Sequence, residues 1–118
     1  MTIFKREDVV IGKTKTSKRK VFGGYGGYTE TEISIPSWIA PEQWRLLKAD
    51  HRSVVTVAAP VAWVDGKAPI KADRVWSVSV GSPFVYGKII AVGKTYKEAM
   101  STAIDWVYSA NPTDEGEA

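Results

Sequence analysis

The clearest pattern along the chain lies near its end. Thr95 stands in N-cap position with Glu98 three residues on, a capping-box pair. Tyr96, Ala99, Met100, Ala103, Ile104 and Val107 then recur at the spacing of one helical face. This predicts a helix from Tyr96 to Ala110. Upstream the period changes to two. Trp76, Val78 and Val80 alternate with Val75, Ser77 and Ser79, which predicts a half-buried strand over Arg74 to Val80. Gly81-Ser82-Pro83 supplies a turn, and Phe84 to Val92 returns as a strand. Arg52 to Val57 and, after Pro60, Val61 to Val64 read as two more strands, closed by an Asp65-Gly66 turn and a loop over Lys67 to Asp73. In Tyr28 to Ile35, Thr29, Thr31, Ile33 and Ile35 face one way, and Glu30, Glu32 and Ser34 the other. A short helix is expected from Pro41 to Ala49, with proline in its first turn and Trp44 and Leu47 turned inward.

The resulting order is β-β-α-β-β-β-β-α, without strict βαβ alternation. It predicts an α+β fold: a mainly antiparallel sheet, a short middle helix, and a C-terminal helix packed across one face. The length of 118 residues suits one domain, expected over residues 1–110, followed by a short acidic mobile tail over 111–118. There is no cysteine, which excludes a disulfide scaffold, a thiolate zinc site and a cysteine nucleophile. The sequence shows neither a signal peptide nor a membrane-length apolar run, so a cytoplasmic protein with no membrane partner is expected.

Charge adds an asymmetry that the net value of +3 conceals. Residues 1–28 hold seven lysines and arginines against two acidic residues, whereas the tail carries Asp114, Glu115 and Glu117. The basic run Lys13 to Lys20 leads directly into Val21-Phe22-Gly23-Gly24-Tyr25-Gly26-Gly27-Tyr28. Cationic side chains neutralise phosphates, aromatic rings stack on unpaired bases, and glycines allow close backbone approach. The expectation is a basic arm or hairpin, about residues 5–28, that grips nucleic acid, single strands preferred. Lys13, Lys15, Lys18, Arg19 and Lys20 would hold phosphates, with Lys94 and Lys97 extending the track, and Phe22, Tyr25 and Tyr28 would stack on bases. The plainer alternative is a charged hairpin whose glycines form the tip and whose tyrosines close the core.

Other motifs carry less. Gly93-Lys94-Thr95 follows a strand and opens a helix, but Lys88 stands where a phosphate-binding loop needs its first glycine. His51 stands alone after Asp50 with no cysteine partner, Glu30 and Glu32 read as the wet side of a strand, and no metal-ligand spacing occurs. No enzyme activity, cofactor or metal is expected. Trp44 and Trp76 fall on core faces, whereas Trp38, Trp63 and Trp106 fall outside them. These three are candidate anchors for a protein partner, since exposed tryptophan is enriched at interfaces. The rival expectation is therefore a small adaptor or inhibitor, of the kind found in phage and mobile elements, that docks on a host complex. The acidic tail is a further candidate contact for a protein partner.

From Val75 to Tyr108, the succession of two strands, Gly93-Lys94 and a helix with Ala99 and Ala103 at its packing positions resembles the second half of a double-stranded RNA-binding domain. The resemblance implies a strand–strand–helix unit with Lys94 and Lys97 near RNA phosphates. Met100 stands where that family carries a further lysine, and Glu98 adds a negative charge to the same turn.

Overall fold

The computed structural model describes residues 2–21, 24–63, 75–82 and 85–112. Six strands form one antiparallel sheet: β1 (Val10–Ile11), β2 (Lys15–Val21), β3 (Gly24–Ser34), β4 (Val55–Trp63), β5 (Trp76–Ser82) and β6 (Val85–Gly93). The sheet runs β1-β3-β4-β5-β6, with β2 also paired to β3. Because β1 and β2 pair with successive stretches of β3, they act as one edge strand broken at Gly12–Thr14, where the Gly12 N–H still donates to Glu32 O at 2.8 Å. Helix α1 (Pro41–Trp44) is a single turn, and α2 (Tyr96–Tyr108) packs on the sheet. The α+β architecture expected from the sequence is the one observed.

Alternation decides which residues of β3 to β5 meet the helix. Thr31, Ile33, Val55, Val57, Ala59, Trp76 and Val78 are buried on the α2 side, facing Ala99, Ala103 and Val107 of the helix. The small residues of α2 let it lie close to the strands: a Cβ on Gly93 would meet Ala99 N at 3.1 Å. At the far end of β5, Gly81 has φ +85°, a left-handed conformation that disfavours a side chain. Its carbonyl accepts a hydrogen bond from Thr56 Oγ1 at 2.9 Å.

Three local details differ from the expectation. The two strands expected on either side of Pro60 are one: β4 runs unbroken from Val55 to Trp63, and Val64 lies outside the described residues. A proline lacks the N–H that an interior strand must donate. Among the described residues the pairing of β4 with β5 covers Val55 to Ala58, and Pro60 lies beyond it. The middle helix stops at Trp44 instead of Ala49, because Lys48 N donates to Ala110 O at 3.0 Å and Leu47 is drawn into the core. A 3-10 turn (Ala49–Arg52) follows.

The third detail is Asn111, expected at the head of the tail but buried in the domain. Its Oδ1 accepts from Ile3 N (2.8 Å) and Phe4 N (3.1 Å), and its Nδ2 donates to Phe4 O (3.1 Å) and Tyr108 O (2.9 Å). The domain therefore extends through Asn111, past the expected boundary at residue 110. Residues 113–118, with the three tail acids, lie outside the described residues. Among the described residues, no helix is long and apolar enough to cross a membrane.

Asn111→Ala would strand two backbone donors near the core, a loss of about 2 kcal/mol. Urea denaturation of wild type and variant should show that drop in the unfolding midpoint. A shift equivalent to under about 0.5 kcal/mol, the range of ordinary surface substitutions, would mean that the N-terminal segment is held by its apolar contacts alone.

Candidate nucleic-acid interface

The basic run and the Gly-Tyr segment form the two strands of one hairpin. β2 pairs with β3 over seven residues, from Lys15 opposite Glu30 to Val21 opposite Gly24. β3 continues into nine pairs with β4, from Ile33–Val55 to Tyr25–Trp63. Among the described residues β5 pairs with β4 from Val55 to Ala58, and beyond that β2, the first half of β3 and the last half of β4 form a three-stranded ribbon. The molecule is elongated accordingly, at 58 × 24 × 22 Å.

Strand alternation divides the ribbon into two faces. On the α2 side fall three cross-strand rows: Thr16–Thr29–Ala59, Lys18–Gly27–Val61 and Lys20–Tyr25–Trp63. On the other side fall Lys15–Glu30–Ala58, Ser17–Tyr28–Pro60 and Arg19–Gly26–Ala62. The register thus brings Lys18, Lys20 and Tyr25 together and sets Lys15, Arg19 and Tyr28 on the reverse. What reads in the sequence as one basic, ring-bearing surface is two. Phe22 lies outside the described residues.

Where the ribbon joins the body, hydroxyl groups fasten it on the α2 side. Thr16 and Thr29 Oγ1 are 3.1 Å apart, Thr14 and Thr31 Oγ1 are 2.8 Å apart, and Tyr96 OH lies 3.1 Å from Thr31 Oγ1. Thr31 is almost fully buried, at 1% exposure. Tyr96 also meets the Trp76 ring edge-on, with centroids 5.0 Å apart. The first turn of α2 is thereby set at the foot of the ribbon.

Lys94 and Lys97 are exposed at that turn. Thr95 Oγ1 accepts from Glu98 N at 3.1 Å, and the Glu98 carboxylate accepts from Lys94 N at 3.2 Å. The Thr95 half of the expected capping box is formed, while Glu98 reaches one residue further back, to Lys94 N instead of Thr95 N, and puts a carboxylate at the positive end of the helix. On the reverse face Lys13 and Lys15 are exposed and share a hollow of about 290 Å3 with Gly12, Glu30 and Glu32. Cations and carboxylates are matched there, so the local field is small.

The tryptophans separate as well. Trp38 is 59% exposed in the turn before α1. Trp106 is half-buried and stacked on His51, with ring centroids 4.0 Å apart and planes 18° from parallel. Trp63 ends β4 directly opposite Tyr25. That pairing leaves no mark in the sequence, because Trp63 and Tyr25 are 38 residues apart and the β3–β4 register joins them. Among the described residues, no group of three or more histidines, aspartates or glutamates is placed to hold a metal ion.

Comparison with protein-family models, with curated proteins and with solved structures finds no match. The likeness to a double-stranded RNA-binding domain accordingly rests on the order β5, β6, α2 and on the two lysines at the start of α2.

The contrast between two tryptophans is measurable. Trp38→Ala should leave the thermal midpoint within the scatter of surface substitutions, under about 0.5 kcal/mol. Trp106→Ala, which removes the His51 stack and half-buried area, should cost about 2 kcal/mol. Equal effects in a thermal melt would refute this division into an exposed and a structural ring.

Proposed function

We propose that this protein binds nucleic acid without catalysing a reaction, favouring single strands, and that the β2–β3 ribbon is the binding element. The observation that supports this reading is the register. Lys18, Arg19 and Lys20 occupy an edge strand directly opposite Gly27, Gly26 and Tyr25. Phosphates can approach an edge strand from outside the sheet, while rings two or three residues along the partner strand are close enough for attached bases to stack. Lys94 and Lys97 supply longer-range attraction, and Tyr25 is the proposed stacking residue of the described strands. A cytoplasmic setting, where single strands are exposed, goes with this reading.

A second reading, docking on a protein partner, is favoured by one observation: the ring of Trp38 stands out from the body with nothing packed over more than half of it. Trp63 and Trp106 belong less naturally to that reading, since one sits on the ribbon and the other is stacked on His51.

The two readings separate by salt. Each phosphate contact to a single strand lowers log K by about 0.7 per decade of salt. Titrating a labelled single-stranded oligonucleotide at several salt concentrations should give a steep slope. Replacing Lys18, Arg19 and Lys20 together by alanine should reduce it by about 2. No binding at low salt, or a slope untouched by the triple substitution, would overturn the proposal and leave the Trp38 surface as the better account.

A further inference from the structure

The ribbon has two faces of different character, and only one of them suits a polyanion. The three strands place both of their carboxylates, Glu30 and Glu32, on the reverse face. Lys15 stands directly across from Glu30, so its charge is largely cancelled at close range. The Tyr28 row is one step from the Glu30 row, about 7 Å, which is within a Debye length at physiological salt. A phosphate beside Tyr28 would therefore feel that carboxylate.

The α2-side face is different. From Thr16 to Lys20, from Tyr25 to Ile33 and from Val55 to Trp63, the positions on this face carry no acidic residue. Lys18 and Lys20 are two residues apart on the outer strand, about 7 Å, comparable with one nucleotide step of an extended strand. Tyr25 and Trp63 hold adjacent positions in one row across β3 and β4. Side-by-side positions on neighbouring strands lie about 5 Å apart, within the range at which aromatic rings associate. Gly27, next to Tyr25 on the same face, offers bare backbone where a base could lie flat.

We infer that a single strand of nucleic acid runs along the α2-side face of the ribbon, phosphates towards Lys18 and Lys20, with Trp63 and Tyr25 as the stacking pair. Tyr28, on the reverse face, takes no part. This rests on the nucleic-acid reading above and sharpens it: it names the face, adds Trp63 to the site, and sets Tyr28 and Lys15, grouped with it in the sequence, outside it.

The test uses the full chain and a fluorescent oligothymidylate, with thermal melts of each variant as a folding control. Trp63→Ala should weaken binding about tenfold without changing the salt slope, because stacking releases no counterions. Trp63→Phe should recover most of the loss, and Tyr28→Ala should stay within about twofold of wild type. A matched pair covers the case in which Trp63→Ala fails to fold. Thr16→Glu and Ser17→Glu change net charge identically on adjacent residues, but on opposite faces. Thr16→Glu should weaken binding about fivefold more than Ser17→Glu. Equal losses from the pair, or a Tyr28→Ala loss as large as that of Trp63→Ala, would overturn the face assignment while wild-type binding stands. Failure of the wild-type chain to bind at low salt would instead remove the nucleic-acid reading itself.

Discussion

A length mismatch governs this fold. The thirteen residues of α2 span about 20 Å, whereas the eleven of β3 span about 37 Å. The long helix can cover only part of the sheet. Ala99, Ala103 and Val107 press on the inner halves of β3, β4 and β5, and burial of that stretch supplies the core. Among the described residues, no helix lies over the remaining strand length. Its cohesion comes from pairing along β2, β3 and β4, and its attachment from the buried Thr31 hydroxyl held between Thr14 and Tyr96. The body and the ribbon thus differ in what stabilises them, although the same strands pass through both.

Much of the body was legible in the sequence because its patterns are periodic. The α2 stripe marks the helix and its buried face together, and the Thr29 to Ile35 alternation assigns Thr31, Ile33 and Ile35 to the interior, where they are found. The β2 strand was harder to read as sheet. Lys15 to Lys20 carries no apolar residue, so nothing local marks a face, and its conformation follows from pairing with β3. Pro60 reads as a break, but proline is accommodated where a strand lacks a second neighbour, and among the described residues β3 alone pairs at that position. The stack of His51 on Trp106 joins positions 55 residues apart and leaves no trace in a periodicity.

The candidate site shows the same division. Sequence order presents Lys18, Arg19 and Lys20 as one cluster with Tyr25 and Tyr28 close behind. A strand turns consecutive residues to opposite sides, so a run of three cations cannot form one patch on a sheet as it could in a loop. Spacing of two preserves Lys18 with Lys20, and spacing of three parts Tyr25 from Tyr28. The acidic residues obey the same rule, which concentrates Glu30 and Glu32 on one side. Composition reveals how much charge a segment holds; only register reveals which charges act together.

The side chain of Asn111 has a consequence for how the molecule can be handled. By tying Ile3 and Phe4 to the end of α2, it brings the first described residues and Pro112 to the same pole. That pole lies a helix length from the first turn of α2, where the ribbon begins. A fluorophore placed at Thr2 or Pro112 would therefore stand about a helix length from Lys94 and Lys97, and points this close in space suit a circular permutant joined between them and opened elsewhere in the chain.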